Sequence, residues 1–269
     1  GDAGTHTLTW TVRSLVNGLT VSCPDSVVVV LTNCNVVDFD GNDDYIAFKK
    51  DDYNLGNNFS IEVWVKPESN ATDDDLNEIS NNAIQTIISK RDANTLLTGY
   101  DLRLEGNTLS FNWNVGGMTC PISLGTSRWY HLAVTYNSSL PDSNYKLYVD
   151  GIEVLSANSS STPLSNNFKC IVGAMDQDNA SPNKPVYYFS GWMDELRIWN
   201  KTLDPHHIRQ MMNQEIIESR DVVGNVQGEV IPLDIHGPDN NGATGGWKDD
   251  DPLYWSNLIG YYRMDNIAC

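Results

Sequence analysis

Two short loops concentrate oxygen donors. Lys90-Arg91-Asp92-Ala93-Asn94 offers a carboxylate and an amide two residues apart. Gly173-Ala174-Met175-Asp176-Gln177-Asp178 offers two carboxylates flanking an amide. If folding brings these loops together, Asp92, Asn94, Asp176, Gln177 and Asp178 place three carboxylates and two amides around one point. That donor set suits calcium, a hard cation that takes six to eight oxygens. The competing reading is plain turn chemistry, for which Asp, Asn and Gln in succession are well suited.

A third acid stands apart. Asp194 sits in Met193-Asp194-Glu195-Leu196-Arg197-Ile198-Trp199, a stretch that otherwise reads as a core strand. A buried carboxylate needs a metal or a partner, because an unpaired buried charge costs several kcal/mol. Asp194 therefore holds a cation, pairs with Arg197 or Lys201, or caps a turn. The runs Asp73–Asp75 and Asp249–Asp251 cannot converge on one ion and read as solvated surface.

Catalytic patterns are missing. No Glu-x-Asp-x-x-Glu run is present that would set an acid/base and a nucleophile on one strand face for retaining glycoside hydrolysis. The five histidines have no HExxH spacing, and neither GxSxG nor a P-loop occurs. Aromatic residues suggest binding instead. Tyr100, Trp113 and Tyr187, with Trp64 and Trp192, could stack on sugar rings or a choline group. The alternative is core packing, expected for at least half of the eight tryptophans.

Composition narrows the partners. With 17 basic and 35 acidic residues in 269, the formal charge is −18. Nucleic acid and anionic membranes need clustered Lys and Arg, so neither is an expected partner. Charged residues are 19% and hydrophobic residues 40%, which excludes an acidic disordered tail. The longest apolar run, Val27–Leu31, is far below the ~20 residues of a spanning helix, so no membrane insertion is expected.

The elements that must position these residues are mostly strands. Thr7–Val12, Leu19–Ser22 and Val27–Leu31 predict about three strands before Cys34. Ser60–Lys66 alternates Ile61, Val63 and Val65 against Glu62, Trp64 and Lys66. Asp101–Leu104 and Thr108–Trp113 flank the turn Glu105-Gly106-Asn107. Tyr130–Tyr136 puts Leu132, Val134 and Tyr136 on one face. Asp150-Gly151 between apolar arms is a strong hairpin signal. Phe168–Ala174, Tyr187–Phe189, Met193–Trp199 and Trp255–Met264 add further strands. Short strands between polar loops mean an antiparallel sandwich, not βαβ units. One helix is predicted over Pro205–Gln214, reaching at most Ile217, with Asp204 as N-cap and Pro205 at the first helical position.

Five cysteines show no zinc spacing. The chain is Asn- and Ser-rich and Lys-poor, which suits an oxidising compartment. Cys120 with Cys170 is the predicted disulfide, since both sit in strand-like stretches. The alternative is five buried thiols. A start at Gly1-Asp2-Ala3-Gly4, without charged or apolar leader regions, reads as an excised piece or a mature form.

An ordered set of motifs carries a family resemblance. Val36–Ile46 (VVDFDGNDDYI), Phe59–Trp64, Trp129–Tyr136 (WYHLAVTY), Tyr148–Gly151 and Gly191–Trp199 (GWMDELRIW), followed by the helix, resemble a laminin-G-like domain of the concanavalin A-like lectin/glucanase superfamily. The resemblance spans roughly Val36 to Gln214 and implies an all-β, antiparallel jelly-roll sandwich with one short helix after the MDELRIW strand. The closest sub-pattern resembles the pentraxins, on Lys90–Asn94, Gly173–Asp178 and Trp255–Tyr261. That likeness implies a calcium held by Asp92, Asn94, Asp176 and Asp178, with Gln177 ligating through its carbonyl. The acid for a second calcium in that loop would fall near Pro185, where no carboxylate stands. Laminin-G-like relatives imply another site, Asp194 with Asp40, Gly41 and Asn42.

The resemblance implies residues 35–269 as one jelly roll completed by strand 255–264. Residues 1–34 read as the end of a preceding Ig-like or PKD-like module, or as N-terminal strands. The expected function is noncatalytic: a calcium-dependent, lectin-like or adhesin module of an extracellular multidomain protein. It would recognise a glycan or a phosphorylated small group and neighbour other domains of the same chain. A structural spacer with a stabilising calcium is the alternative, and a glycan hydrolase is a third reading.

Overall fold

Alternation in sequence becomes alternation in burial. In the strand Asn58–Pro67, Ile61, Val63 and Val65 are fully buried in the main core, and Trp64 and Lys66 point the other way and keep some exposure. The computed structural model describes residues 4–16, 19–31, 37–68, 84–126, 128–177, 184–214, 216–219, 233–236 and 253–264. Asp178, Cys34, Cys269, Asp73–Asp75 and Asp249–Asp251 lie outside these residues.

The chain forms two units. The first contains β1 (Gly4–Val16) and β2 (Leu19–Leu31), paired antiparallel from Gly4↔Leu31 to Val16↔Leu19. Leu19–Ser22 and the valine run are therefore one strand. Among the described residues of this unit, two strands stand where about three were expected.

The second unit is Val37–Met264. In chain order it runs β3 (Val37–Asp40), β4 (Ile46–Ala47), β5 (Asn58–Pro67), β6 (Ile84–Lys90), β7 (Tyr100–Glu105), β8 (Thr108–Trp113) and β9 (Gly116–Ser123). It continues through β10 (Tyr130–Asn137), β11 (Tyr145–Val149), β12 (Ile152–Ala157), β13 (Ile171–Val172) and β14 (Ser190–Trp199). Then come α1 (Pro205–Met211), β15 (Ile216–Ser219), β16 (Leu233–His236), a 3-10 turn at Trp255–Asn257 and β17 (Leu258–Tyr262). Two antiparallel sheets result. The seven-stranded sheet has the order β12-β11-β10-β5-β14-β17, with β3 also on β14, and the six-stranded sheet has the order β4-β13-β6-β7-β8-β9. β15 and β16 form a separate parallel pair.

One apolar core fills the space between the two sheets. Ile61, Val63, Leu132, Val134 and Ile198 come from one sheet, and Ile88, Leu102, Leu109, Phe111 and Val172 from the other. Trp113 and Tyr145 stack across this core with centroids 3.8 Å apart. The β11–β12 hairpin turns on Asp150 and Gly151, both at positive φ, as an Asp-Gly turn requires. A second, smaller core lies on the outer face of the seven-stranded sheet, where α1 seats Ile208 and Met211 against Ala133, Tyr148 and Trp199. Asp204 caps that helix, its Oδ1 accepting from the backbone N–H of His206 and His207. The helix stops at Met211, short of the expected Gln214.

Candidate functional site

β6 and β13 are neighbours, and the chain leaving each one reaches the same edge of the six-stranded sheet. There Asp92 and Asp176 form an isolated β-bridge, closed by the Ala93 N–H donating to Asp176 O at 2.8 Å. Both residues are buried, Asp92 at 1% exposure and Asp176 at 2%. The carboxylate of Asp176 accepts from the backbone N–H of Gln177 on Oδ1 and of Lys169 on Oδ2, each at 3.0 Å. Oδ1 of Asp92 accepts from the Asn94 backbone N–H at 3.2 Å and from its side-chain amide at 3.3 Å. The Gln177 amide donates to Asn94 Oδ1 at 3.0 Å. Asp92, Asn94, Asp176 and Gln177 thus converge. Asp92 Oδ2 is buried and has no hydrogen-bond partner.

The surroundings hold this edge in place without neutralising it. Arg91 is buried and pairs with Asp101 at 2.7 Å, and its other amino group donates to Leu96 O and Asn114 O. The ammonium of Lys90 donates to Lys50 O at 2.5 Å and Phe168 O at 2.9 Å, and burial lowers its pKa. Among the described residues no cationic side chain forms an ion pair with Asp92 or Asp176. Gly99 lets the loop pass: its φ is +83°, and a Cβ there would lie 1.9 Å from Lys90 O.

Other predicted positions fall elsewhere. Asp194 is not beside Asp40. Their strands pair as Ser190↔Asp40, and Asp194 faces Trp64 of β5. Four residues of strand separate the two acids, about 13 Å. Asp194 Oδ1 accepts instead from the Glu195 N–H at 2.8 Å. The loop Asp40-Gly41-Asn42 gathers Asp43 and Asp44, which the sequence reading left out. The carboxylates of Asp40, Asp43 and Asp44 lie within 4.8 Å of one another. They serve turn geometry, with Asp40 Oδ1 accepting from Asn42 N–H and Asp44 Oδ2 from Asp40 N–H.

The aromatic expectations also need correction. Tyr100 and Trp113 are core residues, 1% and 4% exposed, because their strands point them between the sheets. The hydroxyl of Tyr100 donates to Tyr53 O. Tyr187 is half-buried, and its carbonyl accepts from Thr86 N–H, six residues and about 20 Å of strand from Asp92.

The predicted disulfide is absent, Cys120 and Cys170 being free buried thiols. Cys170 precedes β13 and Cys120 lies in β9, four strand spacings away, or about 19 Å. A disulfide needs Cα atoms about 4.4–6.8 Å apart.

A polar cluster that the sequence reading missed lies beneath α1. Glu62, His131 and Arg197 are buried on the outer face of the seven-stranded sheet. Trp199 Nε1 donates to Glu62 Oε2 at 2.8 Å, and His131 Nε2 lies 3.6 Å from Glu62 Oε1. Arg197 donates to Met211 O at 2.8 Å, to Gln214 O at 2.5 Å and to Glu195 Oε2 at 2.6 Å. Burial pushes the Glu62 carboxyl up to about 7, opposed by Arg197 and the Trp199 hydrogen bond. Burial, aided by Arg197, pushes His131 down to about 3. The outward alternation of Glu62 reads as solvent exposure in the sequence, and only the helix layer reverses that.

These features define a lectin-type sandwich with an acidic edge. A laminin-G family model, described as the concanavalin A-like lectin/glucanases superfamily, matches residues 40–209, and the chain belongs to that family. Among solved structures it is similar to a Bacteroides ovatus protein provisionally described as carbohydrate-binding, at 15% identity and TM-score 0.54, covering 98% of this chain. The chain spans 62% of that protein's length. It is also similar to NanB sialidase of Streptococcus pneumoniae, at 20% identity and TM-score 0.50, over 70% of this chain and 29% of that one. A SAP-like pentraxin of Limulus polyphemus aligns at 16% identity and TM-score 0.40, over 57% of this chain and 68% of that one. At these identities the first two likenesses establish the fold alone.

Proposed function

We propose that Val37–Met264 is a noncatalytic, calcium-dependent glycan-binding module of an extracellular protein. Asp92, Asn94, Asp176 and the Gln177 carbonyl hold the ion, with Asp178 as a further candidate ligand outside the described residues. A glycan hydroxyl or a phosphorylated group completes the shell. The observation that carries this reading is Asp92 Oδ2, a buried carboxylate oxygen without a partner, set on a bridge to a second buried acid. An unpaired buried anion is costly, and a divalent cation at that point removes the cost. The carbohydrate-binding description of the Bacteroides ovatus relative supports the choice of ligand class. Among the described residues no helix is long and apolar enough to cross a membrane. On the outer sheet face Glu62 accepts from Trp199, and Glu195 accepts from Arg197 and Tyr261, which weighs against these two glutamates acting in hydrolysis.

Calorimetric titration with calcium tests the site, comparing wild type with Asp176→Ala. The wild type should bind calcium, and the variant should lose at least about 100-fold in affinity, since one carboxylate of a small shell is removed. At calcium about 100 times its dissociation constant, the protein should gain about 2.7 kcal/mol of stability. A glycan array in calcium and in EDTA then separates two roles. Calcium binding without any calcium-dependent glycan signal would assign the ion to a structural staple of a spacer domain.

A further inference from the structure

The outer face of the seven-stranded sheet is divided into two halves. Over one half, α1 and its neighbours cover Ala133, Tyr148 and Trp199. That layer ends at Trp64, whose Nε1 donates to Met212 O at 2.6 Å. Beyond it, a row continues across the strands. Asp38 pairs with Trp192, Trp192 pairs with Lys66, and Trp129 precedes the Tyr130↔Val65 pair. The strand neighbours Phe39, Met193 and Val65 are core, so the alternation turns Asp38, Trp192 and Lys66 outward.

The row is ordered. The rings of Trp129 and Trp192 lie 6.4 Å apart at 37°. The Lys66 ammonium sits 3.4 Å above the Trp192 ring, and the Trp192 side chain hydrogen-bonds the Asp38 carboxylate. Trp129, Trp192 and Lys66 keep partial exposure and Asp38 is exposed. The core absorbs Trp113 completely and the helix layer absorbs Trp199, yet this pair of indoles stays at the surface with one donor and one acceptor beside it.

We propose that Trp129 and Trp192, flanked by Lys66 and Asp38, form a second ligand site that takes a saccharide and does not use calcium. A pyranose ring has an apolar C–H face and a rim of hydroxyls. The Trp129 ring and the part of Trp192 that the Lys66 ammonium leaves uncovered match the face, and the ammonium and a carboxylate match the rim. The site lies on the opposite sheet from the one that carries Asp92 and Asp176, so the two can act independently. Fixed tryptophans lose little conformational freedom on binding, which is why they dominate binding energy where they occur.

The test is intrinsic fluorescence and calorimetry with cello-, xylo-, manno-, arabino- and chito-hexaose, all in EDTA. At least one oligosaccharide should shift the indole emission. Its affinity should fall at least ~10-fold in Trp192→Ala, recover in Trp192→Phe, and stay unchanged in Asp176→Ala. If circular dichroism finds Trp192→Ala unfolded, Trp129→Ala and Lys66→Met carry the same comparison. Absence of binding by all five sugars in EDTA would overturn the proposal. So would undiminished binding in folded Trp129→Ala and Trp192→Ala. A concentration-dependent dimer that Trp192→Ala dissolves would assign the row to self-association instead. Loss of every glycan signal in Asp176→Ala, with the tryptophan variants unaffected, would leave the calcium edge standing alone.

Discussion

The polar cluster under α1 and the acidic edge at Asp92 both bury carboxylates, and they balance the charge in different ways. Under α1 the protein brings its own cation. Arg197 faces Glu62 and pairs with Glu195, and Trp199 and Tyr261 add hydrogen bonds to the two carboxylates. At the edge the nearby cations are engaged elsewhere, Arg91 with Asp101 and Lys90 with two carbonyls. Backbone N–H groups satisfy three of the four carboxylate oxygens, and the fourth is left open. Glu62 Oε1 also lacks a hydrogen bond, so the difference lies in the charge: a guanidinium faces Glu62, and among the described residues no cationic side chain forms an ion pair with Asp92 or Asp176.

Removing the internal cation should have the largest effect. Arg197→Met leaves Glu62 buried without its counter-charge and frees two carbonyls at the end of α1. The expected loss is about 3–5 kcal/mol, seen as a fall of roughly 10 °C in melting temperature for a unit of this size. A melting temperature within a degree of wild type would mean that the two regions do not differ as described.

The second effect is a change in pH profile. His131 is depressed from 6.5 to about 3, so the unfolded chain binds the extra proton, and its contribution is lost as pH falls through that window. Glu62 is raised from 4.5 to about 7, so the native state binds the extra proton, and stability is lost as pH rises. Between 4.5 and 6.5 the two slopes oppose each other, and wild-type stability should be nearly flat. Glu62→Gln removes one slope. Its stability should climb by about 2–3 kcal/mol across that window, measured by urea unfolding at several pH values.

The smallest effect should have the opposite sign. Asp92→Asn removes a charge that no cationic side chain among the described residues pairs, so in EDTA it should stabilise the protein by about 1 kcal/mol. In calcium the order should reverse, because the variant lacks a ligand. A loss of stability in EDTA would show that Asp92 is already compensated.

The sandwich was legible because alternation reports burial directly. Leu132, Val134 and Tyr136 share a face as their spacing requires, and Asp150-Gly151 turns as read. The convergence of the 92 and 176 loops was reachable only through family order, because no local signal links residues 84 positions apart. Three features were hidden for physical reasons. β6 is buried along nearly its whole length, so Ile84–Lys90 lacks alternation. Glu62 is outward on its strand and buried only by a helix more than 140 residues later. Tyr100 and Trp113 read as possible stackers because residue type does not reveal which sheet face a side chain takes.

Among the described residues Cys120 and Cys170 are unpaired, and they stand near opposite margins of the six-stranded sheet. Cys170 sits at the margin that carries the acidic edge, and Cys120 lies in the last strand of the other margin. Burial pushes the Cys170 thiol up to about 12, which leaves it inert while that margin stays shut. Each sulfur can be alkylated only during an opening of its own margin, so the pair forms two clocks built into one sheet. A cation seated at Asp92 and Asp176 would slow the first clock and leave the second at its own rate.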